Sequence, residues 1–228
     1  GNYLQHLHLE AVEYIGLEQS EGMVNQCKSK IEKLGLENSK AVQGSAFEIP
    51  FPDEEFTAVI TTQTVHHFGG EEKIQQVLKE CARVLKKGIF LKSNLDGIMI
   101  INHSGVIQSS TCWWCRLLPS WDAFAKKNCV ESEVIVNLGS AWFDHIATDM
   151  IKETLTRQDL FENPKYIISK DGRKTDSSWR AVPENEVTDA VAFVEKLLAE
   201  KKWEEWFEVI LTDLDKYGQS NNVVLLKK

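Results

Sequence analysis

Residues 56 to 62 read FTAVITT, an apolar and largely β-branched run with no polar face. Such a run is stable only as a strand covered on both sides. From Glu71 the pattern changes period. Ile74, Val77, Leu78, Cys81, Val84 and Leu85 recur at the spacing of one helical face. Glu71 and Glu72 sit at the positive end of that helix and Lys86 and Lys87 near its negative end, as the helix dipole favours. Gly88 ends it, and IFLKSN reads as the next strand. A doubly covered strand, a helix and a second strand form a parallel crossover, which closes with a right-handed turn.

The same alternation precedes it. AVEYIGL, Ala11 to Leu17, is a short buried strand that ends at Glu18. Ser20 can cap a helix whose face is Met23, Cys27, Ile31 and Leu34, and Gly35 stops it. KAVQG is a brief strand, and Pro50 and Pro52 mark IPFPDEEF as a link. The second half is less regular. Trp113, Trp114, Trp121 and Phe124 make residues 108–127 rich in bulky rings. A helix is expected at Ser132 to Leu138, followed by a strand in WFDHIATDMI. Val187, Val191, Val194 and Leu198 suggest another helix, and Trp203, Trp206, Phe207, Ile210, Leu211 and Leu214 a further one. NNVVLLKK is the last strand. Strands and helices in alternation predict an α/β fold with a mostly parallel sheet and helices on both faces.

Charge and composition narrow the partners. The net charge is −8 with no basic stripe, so a nucleic-acid partner is not expected. The longest apolar candidate, GIMIINHSGVI, is too short and too polar to cross a bilayer. The first residues lack a basic segment followed by an apolar core, so neither a leader nor a membrane partner is expected. Five cysteines, an odd number, fit a reducing, cytoplasmic setting. Cys112-Trp113-Trp114-Cys115 has a two-residue gap, but Cys129 and His145 match no finger spacing, and no metal is expected.

Four stretches, taken in order, resemble a class I S-adenosylmethionine-dependent methyltransferase of the small-molecule type 11 group: YIGLEQSEGMV, VQGSAFEIPFPDEEFTAVITTQTVHHF, LKECARVLKKGIFLKSN and SAWFDHI. The resemblance implies a Rossmann-like sheet whose last strand is antiparallel, and one domain over residues 1–228. Residues 1–94 would form its cofactor-binding half and 95–228 its substrate side and C-terminal half. GNYL looks like the last glycine of the family's first motif and the helix turn after it. The chain then resembles a methyltransferase cut just inside that motif, with the first central strand missing.

Site residues follow from the same resemblance. Glu18 would accept the ribose hydroxyls, since a carboxylate at a strand's carboxyl end can bind both. Gln19 would lie beside the adenosine. Gly1 would face the cofactor's methionine end. Ser45, Ala46 and Phe47 resemble the adenine loop, although many relatives have an aspartate at the place of Ser45. Thr62 and Gln63 would stand beside the methionine part of S-adenosylmethionine. His66 and His67 would face the acceptor, where a histidine near its ordinary pKa can take a proton. The acceptor is expected to be a small molecule and the protein a monomer. Two alternatives remain: a catalytically inactive binding module or gene fragment of the same fold, and a nicotinamide-dependent oxidoreductase. The latter predicts a glycine fingerprint before Glu18 and also a catalytic lysine or tyrosine motif, and of the second there is no sign.

Overall fold

The computed structural model describes residues 13–91, 94–111, 113–152, 163–174 and 178–228. Gly1, Cys112 and the start of the first expected strand lie outside them. Strand β1 (Tyr14–Glu18) leads into helix α1 (Glu21–Leu34), and β2 (Ser39–Gln43) returns parallel to β1. Gly35 closes α1 in the left-handed conformation, φ 63°, and its N–H bonds the carbonyl of Glu32. That is the stop expected of a glycine just past a helix. The predicted face of α1 is only partly covered, with Met23 and Leu34 exposed and Cys27 and Ile31 half-buried.

Strand β3 (Ala58–Thr62) is followed by a 3-10 turn (Val65–His67) and helix α2 (Glu71–Val84). The stripe predicted for α2 is its buried face: Ile74, Val77, Leu78, Cys81 and Val84 are all buried. The strand after it differs from expectation. Ile89–Leu91 is β4, but it pairs antiparallel with β5 (Asn94–Asp96) as a small hairpin. The parallel partner of β3 is β6 (Ile98–His103). Gly97, φ 77°, makes this exchange possible: a Cβ there would stand 2.6 Å from the Cα of Gly88 and from the Lys86 carbonyl. The chain therefore turns out of the hairpin at Gly97, and the more apolar IMIINH fills the central position.

The central sheet has the order β3-β6-β8-β7. Strand β8 (Ser220–Lys227) lies antiparallel to both β6 and β7 (Phe143–Ile151), so the last strand has the expected direction. The fold is α/β, with helices packed on parallel pairs β1–β2 and β3–β6. No hydrogen-bonded strand joins β1 to β3 among the described residues, and each keeps an unpaired edge. Ile60 of β3 is accordingly 39% exposed and no residue of β3 is fully buried, so the strand is not covered on both sides as its apolar sequence suggested.

Between β6 and β7 come α3 (Val106–Thr111), α4 (Trp113–Leu117), α5 (Pro119–Asn128) and α6 (Ser132–Gly139). Between β7 and β8 come α7 (Lys165–Ile168), α8 (Lys170–Arg173), α9 (Ser178–Ala181), α10 (Glu184–Ala199) and α11 (Trp203–Tyr217). The main core packs α2 and α6 on the sheet through Leu78, Leu85, Met99, Ile135 and Leu225. A second core holds Leu118, Ile167, Trp179, Val194, Phe207 and Ile210. The Trp203–Phe207 stack, centroids 5.4 Å apart, belongs to it, but Leu198 and Leu211 of the expected stripes are exposed.

Candidate functional site

In each parallel pair the carboxyl ends lie side by side, Glu18 opposite Gln43 and Thr62 opposite Asn102. Ligands of open α/β sheets bind outside such ends. Glu18 is the last residue of β1 and is half-buried. Its Oε1 accepts the backbone N–H of Ser20 at 3.0 Å, which fixes the carboxylate at the mouth of the strand. Its carbonyl accepts the N–H of Gly44 at 3.0 Å, and the Gln43 carboxamide donates to the Gln19 carbonyl at 3.2 Å. A Cβ on Gly44 would stand 2.7 Å from Leu17 Cδ1 and 3.0 Å from the Pro50 ring, so any side chain there would require Leu17 to shift.

Ser45, Ala46 and Phe47 form the next loop. The Ser45 hydroxyl accepts the Phe47 N–H at 3.1 Å, and the Phe47 carbonyl accepts from the Gln76 carboxamide at 3.2 Å. Both backbone groups of Phe47 are thus in use. Ala46 is the loop residue to which the described hydrogen bonds assign no backbone partner. The Phe47 ring meets Phe68 edge-on, centroids 5.8 Å apart, and Lys73 Nζ stands 5.1 Å above it. The loop after β2 is thereby joined to the loop after β3.

That second loop holds Thr62, Gln63, His66 and His67. Gln63 is in the left-handed backbone region, φ 51°, and bonds to Asn102 and Ser104 on β6 and its exit. His66 and His67 lie with ring centroids 4.0 Å apart on the 3-10 turn. Trp121 and Phe124 of α5 stack at 5.0 Å, and His66 meets both edge-on at 6.3 Å. Partial burial holds the His67 pKa below its ordinary value. Its ring is therefore neutral near pH 7 and can accept a proton.

The structure brings Ser45–Phe47 and Thr62–His67 together through the Phe47–Phe68 contact. It sets Glu18 and Gln19 beside Gln43 on the neighbouring pair. Asn102 and Ser104 were missed in the sequence because IMIINH was not read as the central strand. The rings of Trp121 and Phe124 were noted, but nothing in their spacing linked them to His66. Among the described residues no group of three or more His, Cys, Asp or Glu is placed to hold a metal ion. Cys115 and Cys129 are buried, and burial pushes the Cys129 thiol up, so it stays protonated. No described helix is long and apolar enough to cross a membrane.

A buried polar group lies behind the site. His103, the last residue of β6, is 1% exposed, and its Nε2 stands 3.0 Å from the Ser132 hydroxyl. Asn221 donates to the same hydroxyl at 3.1 Å, and Gln108 donates to Asn221 Oδ1 at 3.0 Å and to the Tyr217 carbonyl at 3.0 Å. Burial lowers the His103 pKa to about 4, against smaller opposing effects of the Ser104 backbone and Glu133.

Known proteins resemble this chain in part of its sequence and in its fold. Residues 1–91 match the family described as "Methyltransferase domain". An uncharacterized methyltransferase, YcgJ, of Bacillus subtilis is 36% identical over 80 residues, 35% of this chain and 30% of that protein. A fatty-acid O-methyltransferase of Mycolicibacterium smegmatis is 36% identical over 75 residues, 33% of this chain and 25% of that protein. The matched stretches thus span less than a third of those relatives. A crystal structure of a putative methyltransferase from an antibiotic biosynthesis pathway of Anabaena variabilis superposes with TM-score 0.62 and 15% identity, over 93% of this chain and 80% of that one. At that identity the likeness is one of fold. Residues 1–91 thus carry the match to a methyltransferase domain, and the chain as a whole shares the fold of that solved structure.

Proposed function

We propose that the chain is a single-domain enzyme that methylates a small-molecule acceptor, with S-adenosylmethionine held across the carboxyl ends of β1, β2 and β3. The observation behind this reading is the junction of the two loops by Phe47 and Phe68, with Glu18 fixed at the end of the adjacent pair. The donor set suits an adenosine: a strand-end carboxylate for the ribose, and Ala46 for the adenine edge. Gln19 lies beside the sugar, Ser45 and Phe47 shape the adenine loop, and Thr62 and Gln63 flank the methionine part. Gly1 would complete that end. When bound, the cofactor supplies an electrophilic methyl group. The protein's part is to align the acceptor with that methyl and to keep water away, and positioning alone can supply much of the acceleration. His67, neutral by partial burial, takes the proton of an acceptor hydroxyl or amine, with His66 beside it. Trp121 and Phe124 form an apolar wall against these histidines and favour an acceptor with an apolar or planar body.

A cytoplasmic monomer is the setting that fits this reading. Transfer of a labelled methyl group from S-adenosylmethionine to a panel of small phenols, amines and fatty acids tests it. The expected result is transfer to at least one class, lost in a His66→Ala, His67→Ala double variant that still binds S-adenosylhomocysteine. No binding and no transfer would sink it.

Among the described residues β1 and β3 each keep an edge with no strand beside it, which favours a second reading, an inactive binding module of the same fold. That reading requires ligand binding without transfer. Repeating the assay with a strand and glycine turn fused ahead of Gly1 separates the two. Activity gained on fusion assigns the chain to the enzymes.

A further inference from the structure

Gln63 holds a backbone state that a residue with a side chain enters at a cost of about 1 kcal/mol or more. Its surroundings over-determine that state. The Gln63 N–H donates to the Asn102 carbonyl at 2.8 Å, and its Nε2 donates to Asn102 Oδ1 at 3.0 Å. Its Oε1 stands 3.2 Å from the Ser104 hydroxyl. The same hydroxyl is 2.9 Å from the Gln219 carbonyl, and its single proton serves one acceptor at a time. Asn102 is held in turn from β8: its Nδ2 donates to Ser220 Oγ at 3.0 Å and to Asn222 Oδ1 at 2.8 Å. Every polar group of the Asn102 side chain is therefore engaged, and a satisfied network of this kind fixes one arrangement.

The Gln63 carboxamide is thus committed to the sheet. Among the described residues no hydrogen bond ends on the Gln63 carbonyl oxygen. The group left to meet a ligand at this strand end is that acceptor. We propose that Asn102 is a positioning residue: braced by Ser220 and Asn222, it locks Gln63 in its left-handed turn and so presents the carbonyl of residue 63 to a hydrogen-bond donor on the ligand. The inference rests on the methyl-donor reading for the identity of that ligand, but the lock itself does not.

Two measurements test it. The first is hydrogen exchange at the Gln63 amide, followed by NMR without ligand. Asn102→Ala is expected to speed that exchange at least tenfold, with exchange in α11 unchanged; an unaltered rate overturns the lock. The second is calorimetry with S-adenosylhomocysteine. Asn102→Ala should weaken binding about tenfold. Glycine enters the left-handed region without penalty, so in a Gln63→Gly background the same substitution should cost less than threefold. A loss of equal size in both backgrounds would mean that Asn102 merely ties β6 to β8, and the proposal would fall. If the unmodified chain shows no binding, the methyl-donor reading fails while the exchange data still decide the lock.

Discussion

The ring of Phe47 meets that of Phe68 at 71°, with centroids 5.8 Å apart. One ring sits on the loop after β2 and the other on the loop after β3, which belong to separately hydrogen-bonded sheets. Edge-to-face pairs of this kind are worth about 1 kcal/mol beyond their buried area. The contact ties together the two loops on which the proposed adenosine site depends.

Phe47→Ala removes that tie. The ring is half-buried, so the expected loss of stability is about 2 kcal/mol, below the roughly 3–5 kcal/mol of a fully buried ring. Affinity for S-adenosylhomocysteine should fall further than stability alone accounts for, as both loops loosen. Urea unfolding and calorimetry on the same preparation separate these effects, and Phe47→Leu should restore most of the stability and little of the affinity.

Glu18 makes one hydrogen bond to its own loop, through Oε1. Glu18→Ala should weaken cofactor binding at least tenfold, about 1.4 kcal/mol. Glu18→Gln keeps the shape and one acceptor and should lose less. An unchanged dissociation constant in Glu18→Ala would remove the ribose assignment.

His103 links stability to pH. Its folded pKa of about 4 lies below the ordinary value of 6.5. As pH falls below about 6.5 the unfolded chain binds a proton that the folded chain refuses. Stability is therefore full above that pH and declines down to about pH 4, by about 1.4 kcal/mol per unit at most and about 3 kcal/mol in all. His103→Gln should be less stable at pH 7.5 yet show a flatter loss between pH 6.5 and 4.5. Parallel curves from urea unfolding would contradict the assignment.

Arg83 holds the link between β2 and β3. Its guanidinium donates to the carbonyls of Ile49 and Phe51, each at 2.8 Å, and to Asp53 Oδ1 at 2.8 Å. It also grips both oxygens of Glu80 at 3.0 and 2.9 Å, and these bonds keep the Glu80 carboxyl below its ordinary pKa. A lysine cannot reproduce this fork. Arg83→Lys should cost about 2 kcal/mol and open residues 49–54 to proteolysis, read by limited digestion with a glutamate-specific protease, which cuts after Glu54.

The parts of the fold legible in the sequence were those with a single periodicity. FTAVITT and the stripe from Ile74 to Val84 admitted one reading each, and both elements formed where expected. The hairpin at Ile89–Asp96 escaped because IFLKSN and IMIINH are both short apolar runs, and only the crowding at Gly97 against Gly88 selects the second as the central strand. That error hid Asn102, a polar residue with no meaning until its strand is placed. The place of Glu18 at a strand end was legible in the apolar run before it, whereas its proposed role comes from the family likeness alone. The Phe47–Phe68 contact, the His66–Phe124 contact and the Ser220–Asn102 bond join residues distant in sequence, and no local pattern encodes them.

Strand β8 lies between β6 and β7 and, among the described residues, is the only strand that both of them share. Its residues, 220–227, are the last to be synthesised of any in that sheet. A nascent chain can form β3, β6 and α2 on the ribosome, but among the described strands β7 has no neighbour to join until β8 emerges. The sheet closes late, by long-range pairing, which is slow and leaves apolar edges uncovered in the meantime. Truncation before residue 220 should therefore yield not a slightly smaller protein but one that requires chaperones and aggregates.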